Sequence, residues 1–363
     1  MDQSDIRRLF QRAQQIDKTL RVSKQQLPVL ARRRLRPTSF SREGLFSAMA
    51  RGQPILFHDL VVPVKRARQL GMRNAVLGTL RSGFPQGHKV RVRCGYSETE
   101  KLVHLSVDEM LRRWEGDKHL VSVTDFHIRG SGVVRRMDCS PLSDFNLMAN
   151  AGGDVGLQEM LTMVVSSAGT YTDSHSDDPD GSNHCFTGKK LWLAWDTFQG
   201  GVRNLEDSER FGYKGEVATF DLGAFLSIPG SRWFTVETGQ TLFLPGHLTH
   251  KVVTLEDYLG VGSFFVMLPD YWRTLLRWTE HTPLWALKEP ENRRLTLVNK
   301  VTELVLRKIG TLERAPVEEQ RRWGYPDLVS AVQDWRRTAS TRSRRMMTAN
   351  PATQRLLEAI PAA

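Results

Sequence analysis

Between about residue 120 and residue 267 the chain breaks into short apolar runs of β-forming residues separated by Gly, Pro, Asp and Asn. No other feature constrains the fold so much. Runs of strand length cover 120–128, 161–166, 190–195, 225–228, 233–236, 241–244, 251–254 and 259–267. Many short strands with turn signals between them build a sandwich, jelly roll or small barrel. Helical spacing of apolar residues occurs on both sides, over 4–19 and 41–50 before the β region and over 271–278, 295–309 and 328–335 after it. A further short helix is expected at Ser106-Val107-Asp108-Glu109, which has capping-box spacing and is followed by the apolar stripe Met110, Leu111 and Trp114. A strand is expected at 55–57. The expected fold is α+β, with a lead-in of helix and basic residues over 1–39, a β-barrel domain over 40–270 and a helical region over 271–363.

Three cysteines, Cys94, Cys139 and Cys185, lie far apart with no CxxC pair. This argues against a disulfide framework and against a structural zinc module, which needs four spaced ligands. Lys and Arg number 51 against 40 Asp and Glu, a net charge of +11, so the surface field favours acidic partners or serves solubility. The basic segment Arg32-Arg33-Arg34-Leu35-Arg36 and the arginines after Trp335 are read as solvated, with a nucleic-acid arm as the alternative. No stretch approaches the roughly eighteen apolar residues of a membrane span, and the charged start lacks a signal-peptide core. A soluble, intracellular protein is expected.

The segment Thr172-Asp173-Ser174-His175-Ser176-Asp177 follows one of the strand-like runs. Residues two apart on a strand point the same way, so His175 and Asp177 offer an imidazole nitrogen and a carboxylate oxygen to one ion. With 10 histidines and 40 acidic residues in 363 positions, about one His-x-Asp/Glu triplet arises by chance, and alone it reads as a surface turn. Two further features change that. The run Gly239-Gln240-Thr241-Leu242-Phe243-Leu244-Pro245-Gly246 reads as a strand entering a turn, and His250 then opens the next strand, which sets a third ligand at one end of a β-sandwich. Between the two segments, Gly188-Lys189-Lys190-Leu191-Trp192 begins a strand with a cation. A lysine and a hydroxyl can receive a carboxylate held inside a barrel, and Lys190 and Thr172 are the candidates. A lysine at a strand edge also serves to block pairing, and threonine is simply a good β-former.

Tyr171–Asp177, the Gly188–Lys190 turn and above all 239–265 (GQTLFLPGHLTHKVVTLEDYLGVGSFF) resemble JmjC-domain oxygenases, nearest in motif to the lysine demethylases linked to a plant-homeodomain finger or an F-box. The resemblance covers roughly residues 40 to 310. It implies a double-stranded β-helix (jelly-roll, cupin-like) core and iron(II) bound by His175, Asp177 and His250. It also implies Thr172 and Lys190 on the distal carboxylate of 2-oxoglutarate, with dioxygen as the other co-substrate. His247 falls at a turn position, and His184 is read as structural. Asn183 stands about where those relatives have a tyrosine and Phe264 about where they have an asparagine, so a methyl-lysine pocket does not follow. Three cysteines cannot build the reader finger.

The function expected is that of an Fe(II)/2-oxoglutarate-dependent dioxygenase acting on a protein side chain by hydroxylation or N-demethylation. A hydroxylase of a small metabolite is the alternative, and a non-catalytic β-barrel binding protein is a third reading. The acidic segment 177–180 suits a cationic substrate group. Nucleic-acid binding is expected to be weak, and no membrane association is expected.

Overall fold

The computed structural model describes residues 2–94, 102–116, 120–142, 144–150, 160–175, 177, 180–196, 220–246, 248–276 and 291–361. Its centre is a mixed α+β arrangement around one ten-stranded antiparallel sheet. The strands are β1 (Ile55–Phe57), β2 (Lys89–Cys94), β3 (Leu102–Ser106), β4 (Val121–His127), β5 (Met160–Ser166), β6 (Tyr171–His175), β7 (Asp180–Asp196), β8 (Arg232–Glu237), β9 (Thr241–Leu244) and β10 (Leu248–Phe265). They pair in the order β1-β9-β7-β10-β5-β4-β2-β3, with β6 also on β10 and β8 also on β7.

Two long strands organise the rest. β7 and β10 pair from Asp180↔Phe265 to Asp196↔Leu248, with register shifts between Thr254 and Gly260. Beyond the shifts, Gly181–His184 of β7 pairs with β9 and the second half of β10 pairs with β5. Before them, Lys189–Ala194 pairs with β8 and the first half of β10 pairs with β6. The irregularity has a local cause at Gly188, whose φ is +97° and where a Cβ would lie 2.1 Å from the Asp257 carbonyl oxygen. Only glycine fits there.

Side-chain alternation then distributes the sequence. Leu191, Leu193 and Trp195 of β7 face the N-terminal helix Gln3–Ile16, packing with Ile6, Phe10 and Trp233 in one core. Each large apolar side chain buried there contributes ~1.5–3 kcal/mol. A second core packs Val90, Val92, Val121 and Val123 against the helices Met72–Gly83 and Val107–Glu115. In the latter helix the Ser106 hydroxyl accepts from Glu109 N at 3.2 Å, as the capping spacing predicts. A third core joins Tyr271, Trp272 and Leu275 to the C-terminal helices Glu291–Leu312 and Tyr325–Thr338.

Several expectations are corrected. The run at 225–228 is not a strand: Leu222–Ser227 is helical, because the Asp221 carboxylate accepts from Ala224 N at 2.7 Å and caps it. The runs at 251–254 and 259–267 are parts of one strand, and 190–195 belongs to the longer β7. β2, β3 and the helix Met72–Gly83 are additions to the expected list. In the basic segment Arg32 and Arg36 are exposed, as expected, while Arg33 and Arg34 are half-buried. Leu35 N donates to Trp233 O at 2.9 Å, and the Arg34 guanidinium lies 5.8 Å from the Trp233 ring centroid. In the basic tail Arg337, Arg344 and Arg345 are exposed, as expected, whereas Arg336 donates to the Pro361 and Ile360 carbonyls at 2.7 and 2.9 Å and closes the helix Pro351–Ala359. All three cysteines are free thiols. Among the described residues no helix is long and apolar enough to cross a membrane.

Candidate metal centre

β6 and β10 bring His175 and His250 opposite one another in register. β6 ends at His175, so Asp177 is not on the strand as its spacing predicts but in the coil just beyond it. It still reaches the same point: ligand atoms of His175, Asp177 and His250 all lie within 4.8 Å of one another, and the imidazole rings of the two histidines are 4.2 Å apart.

Both histidines are held in one tautomer. His175 Nδ1 is 2.7 Å from the Asp173 carbonyl, and His250 Nδ1 is 2.9 Å from the Leu248 carbonyl. A carbonyl oxygen only accepts, so each Nδ1 carries a proton and Nε2 is the nitrogen left to meet an ion. Burial, together with the neighbouring His175, pushes His250 down to about 4, against the upward pull of Asp177. At neutral pH the contact between His250 Nε2 and Asp177 Oδ2, 3.8 Å long, is therefore no ion pair. Two acceptors face each other there with no proton between them, an arrangement that a cation relieves. Two histidines and one carboxylate thus offer three ligand atoms that could hold one metal ion.

These three residues open onto a cavity of about 220 Å³ lined by residues of β5, β6, β7, β9 and β10, among them Thr172 and Lys190. Lys190 is 4 % exposed. Its ammonium donates to Ser166 Oγ at 3.0 Å and lies 4.7 Å from the Tyr258 ring centroid, and no described carboxylate pairs with it. The nearby Cys185 and Tyr258 supply no charge either, because burial pushes the thiol up to about 12 and the phenol well above its ordinary value. The same burial drives Lys190 down to about 7. An anion in the cavity would restore its charge. Lys189 faces the other way, bonded to Glu237 Oε1 at 2.8 Å.

Two more polar groups point to an occupant. Ser182 Oγ and Trp192 Nε1 are buried without a hydrogen-bond partner among the described residues, and both residues line the cavity. Nothing in the sequence signals them, since their burial depends on strands far apart in the chain. Asn183 and Phe264 also line it, and the Tyr258 hydroxyl donates to Asn183 Oδ1.

Lys251, missed as a site residue, secures the centre from behind. Fully buried, it bonds Asp17 and Asp173 at 2.8 Å each. Because its strand neighbour is His250, and because the Asp173 carbonyl orients His175, this ion triad ties both histidines to the end of the N-terminal helix.

Of the acidic segment 177–180, Asp180 is buried, accepting from Gly246 N and Met267 N at 2.9 Å each. Both of its oxygens are turned into the protein and not toward a substrate. Residues 178 and 179 lie outside the described residues, as does His247. His184 is absent from the cavity wall, with Nδ1 donating to Thr241 Oγ1 at 2.8 Å. No protein-family model and no curated protein matches this chain.

Proposed function

We propose that the protein is an iron(II)- and 2-oxoglutarate-dependent oxygenase of the JmjC type, its bent sheet forming a double-stranded β-helix, that acts on a protein side chain by hydroxylation or N-demethylation. One observation carries the reading: a two-histidine, one-carboxylate group and a buried lysine that has no carboxylate partner among the described residues share a single cavity. In this assignment His175, Asp177 and His250 hold the metal through Nε2, carboxylate oxygen and Nε2. Lys190 receives the distal carboxylate of 2-oxoglutarate, and the Thr172 hydroxyl adds a neutral hydrogen bond.

Iron(II), when bound with 2-oxoglutarate and dioxygen, supplies the oxidising power for attack on a C–H bond, with succinate and carbon dioxide as by-products. The protein's own part is positioning. The carbonyl bonds from Asp173 and Leu248 fix the imidazoles, Lys251 braces both strands, and apolar walls such as Val252 and Phe264 limit water.

The test is aerobic incubation of iron(II)-loaded protein with 2-oxoglutarate, followed by mass-shift screening of peptides and metabolites. Succinate should accumulate slowly without substrate and vanish in Asp177→Ala. Succinate no higher than in a protein-free control would remove the enzyme reading.

A further inference from the structure

The cavity reaches the β2 side of the sheet, and the strands that carry it there bear a row of cations. Arg93 on β2, Thr124 on β4 and Thr162 on β5 all line it. Side chains two apart on a strand share a face, so Lys89 and Arg91 continue outward from Arg93 while Val90 and Val92 enter the core behind. Paired residues share a face as well. His104 on β3 stands opposite Arg91, and His127 on β4 stands opposite Thr162. All four of Lys89, Arg91, His104 and His127 are exposed.

The other face of the same strands is treated differently. On the helices packed there, Arg73 and Arg81 pair with Glu115, and Arg112 and Arg113 pair with Glu109. No described carboxylate pairs with Lys89, Arg91, His104 or His127. At the outer end of the row, Lys89, Arg91, His127 and Arg129 line a second hollow of about 470 Å³ beside Phe84 and His88.

We propose that this face is the substrate track, and that it takes an extended, acidic polypeptide segment whose reacting residue enters the cavity at Arg93. The proposal rests on the oxygenase reading of the adjoining centre and gives its substrate class. Cations spaced every second residue along β2 match the side chains on one face of an extended peptide. At about 3.3 Å per residue, Lys89 stands roughly 13 Å from Arg93, which sets acidic residues about four positions from the reacting one. The sign is opposite to that expected from the aspartates at 177–180.

Single-stranded nucleic acid fits less well. It binds by stacking bases on open aromatic faces beside a cationic groove. Here Phe84 is already stacked on Phe126 at 4.8 Å and on His88 at 4.7 Å between centroids, so its faces are taken.

Fluorescence anisotropy of the full chain at physiological ionic strength tests the track, with labelled decaglutamate, decalysine and a ten-nucleotide oligothymidylate as probes. Decaglutamate should bind and decalysine should not. The double variant Lys89→Glu, Arg91→Glu should weaken decaglutamate by about tenfold or more, whereas Arg7→Glu, Lys18→Glu, with the same change in net charge, should alter it by less than about twofold. Equal weakening by both pairs, or no binding of decaglutamate, would overturn the proposal. Tighter binding of oligothymidylate than of decaglutamate would overturn it in favour of nucleic acid. Manganese(II) binding, read by electron paramagnetic resonance on the same samples, should be unchanged in both double variants. Its absence from the parent would refute the oxygenase reading, a result distinct from failure of the peptide arms.

Discussion

Replacing Lys190 by Met should stabilise the ligand-free protein and abolish its response to 2-oxoglutarate. Burial lowers Lys190 from 10.5 to about 7. Between those values the unfolded chain binds a proton that the folded chain does not, so stability rises with pH across the window and the penalty is full below about pH 7. At about 1.4 kcal/mol per pH unit the penalty is on the order of 5 kcal/mol. Methionine removes it at similar volume and forfeits the bond to Ser166, worth about 1 kcal/mol, and the ammonium's contact with the Tyr258 ring, worth about 1 kcal/mol more. Urea denaturation at pH 7 without metal should show a higher midpoint for Lys190→Met. With manganese(II) present, 2-oxoglutarate should raise the midpoint of the parent but not of the variant, whose 2-oxoglutarate Kd should rise roughly a hundredfold for loss of a charge-assisted bond of ~3 kcal/mol. A variant that is less stable without ligand and binds 2-oxoglutarate as tightly as the parent would refute the reasoning.

His250→Ala should abolish manganese(II) binding, whereas His247→Ala should leave most of it; equilibrium dialysis distinguishes the two. Burial holds both His184 and His250 down at about 4. Their folded values lie below the ordinary 6.5, so each contributes stability that is present above that pH and lost as pH falls toward 4, up to about 3 kcal/mol apiece. Urea midpoints measured at pH 7 and 4.5 should show this loss. Lys251→Met strands the carboxylates of Asp17 and Asp173 and should cost about 3–5 kcal/mol. Asp17→Asn, which leaves the lysine one partner, should cost less in the same denaturation assay.

The five residues that the resemblance implies as a site all line one cavity. His175 and Asp177 are close in sequence, and His250 and Lys190 sit on strands whose apolar runs are unmistakable, so pairing those strands was enough to bring them together. What was hidden depended on long-range contacts. Lys251 looks like any strand lysine until Asp17, far away at the end of the first helix, closes on it. Phe225–Ile228 has the composition of a strand, and only the Asp221 cap and the i, i+3, i+4 burial of Leu222, Phe225 and Leu226 make it helical. The alternation in Lys89-Val90-Arg91-Val92-Arg93 is a strand signal in its own right, although its charged half resembles solvated surface. The meaning of that half emerges only when Arg93 is seen in the cavity wall.

His175, Asp177 and His250 are proposed to form a metal centre. Equilibrium dialysis of the protein against manganese(II) at pH 7.5 or thereabouts, under argon, tests it directly. One ion should bind per chain in the parent and in Lys190→Met, and none in His175→Ala or Asp177→Ala. Substoichiometric binding in the parent, or an ion retained after either ligand is removed, would contradict it.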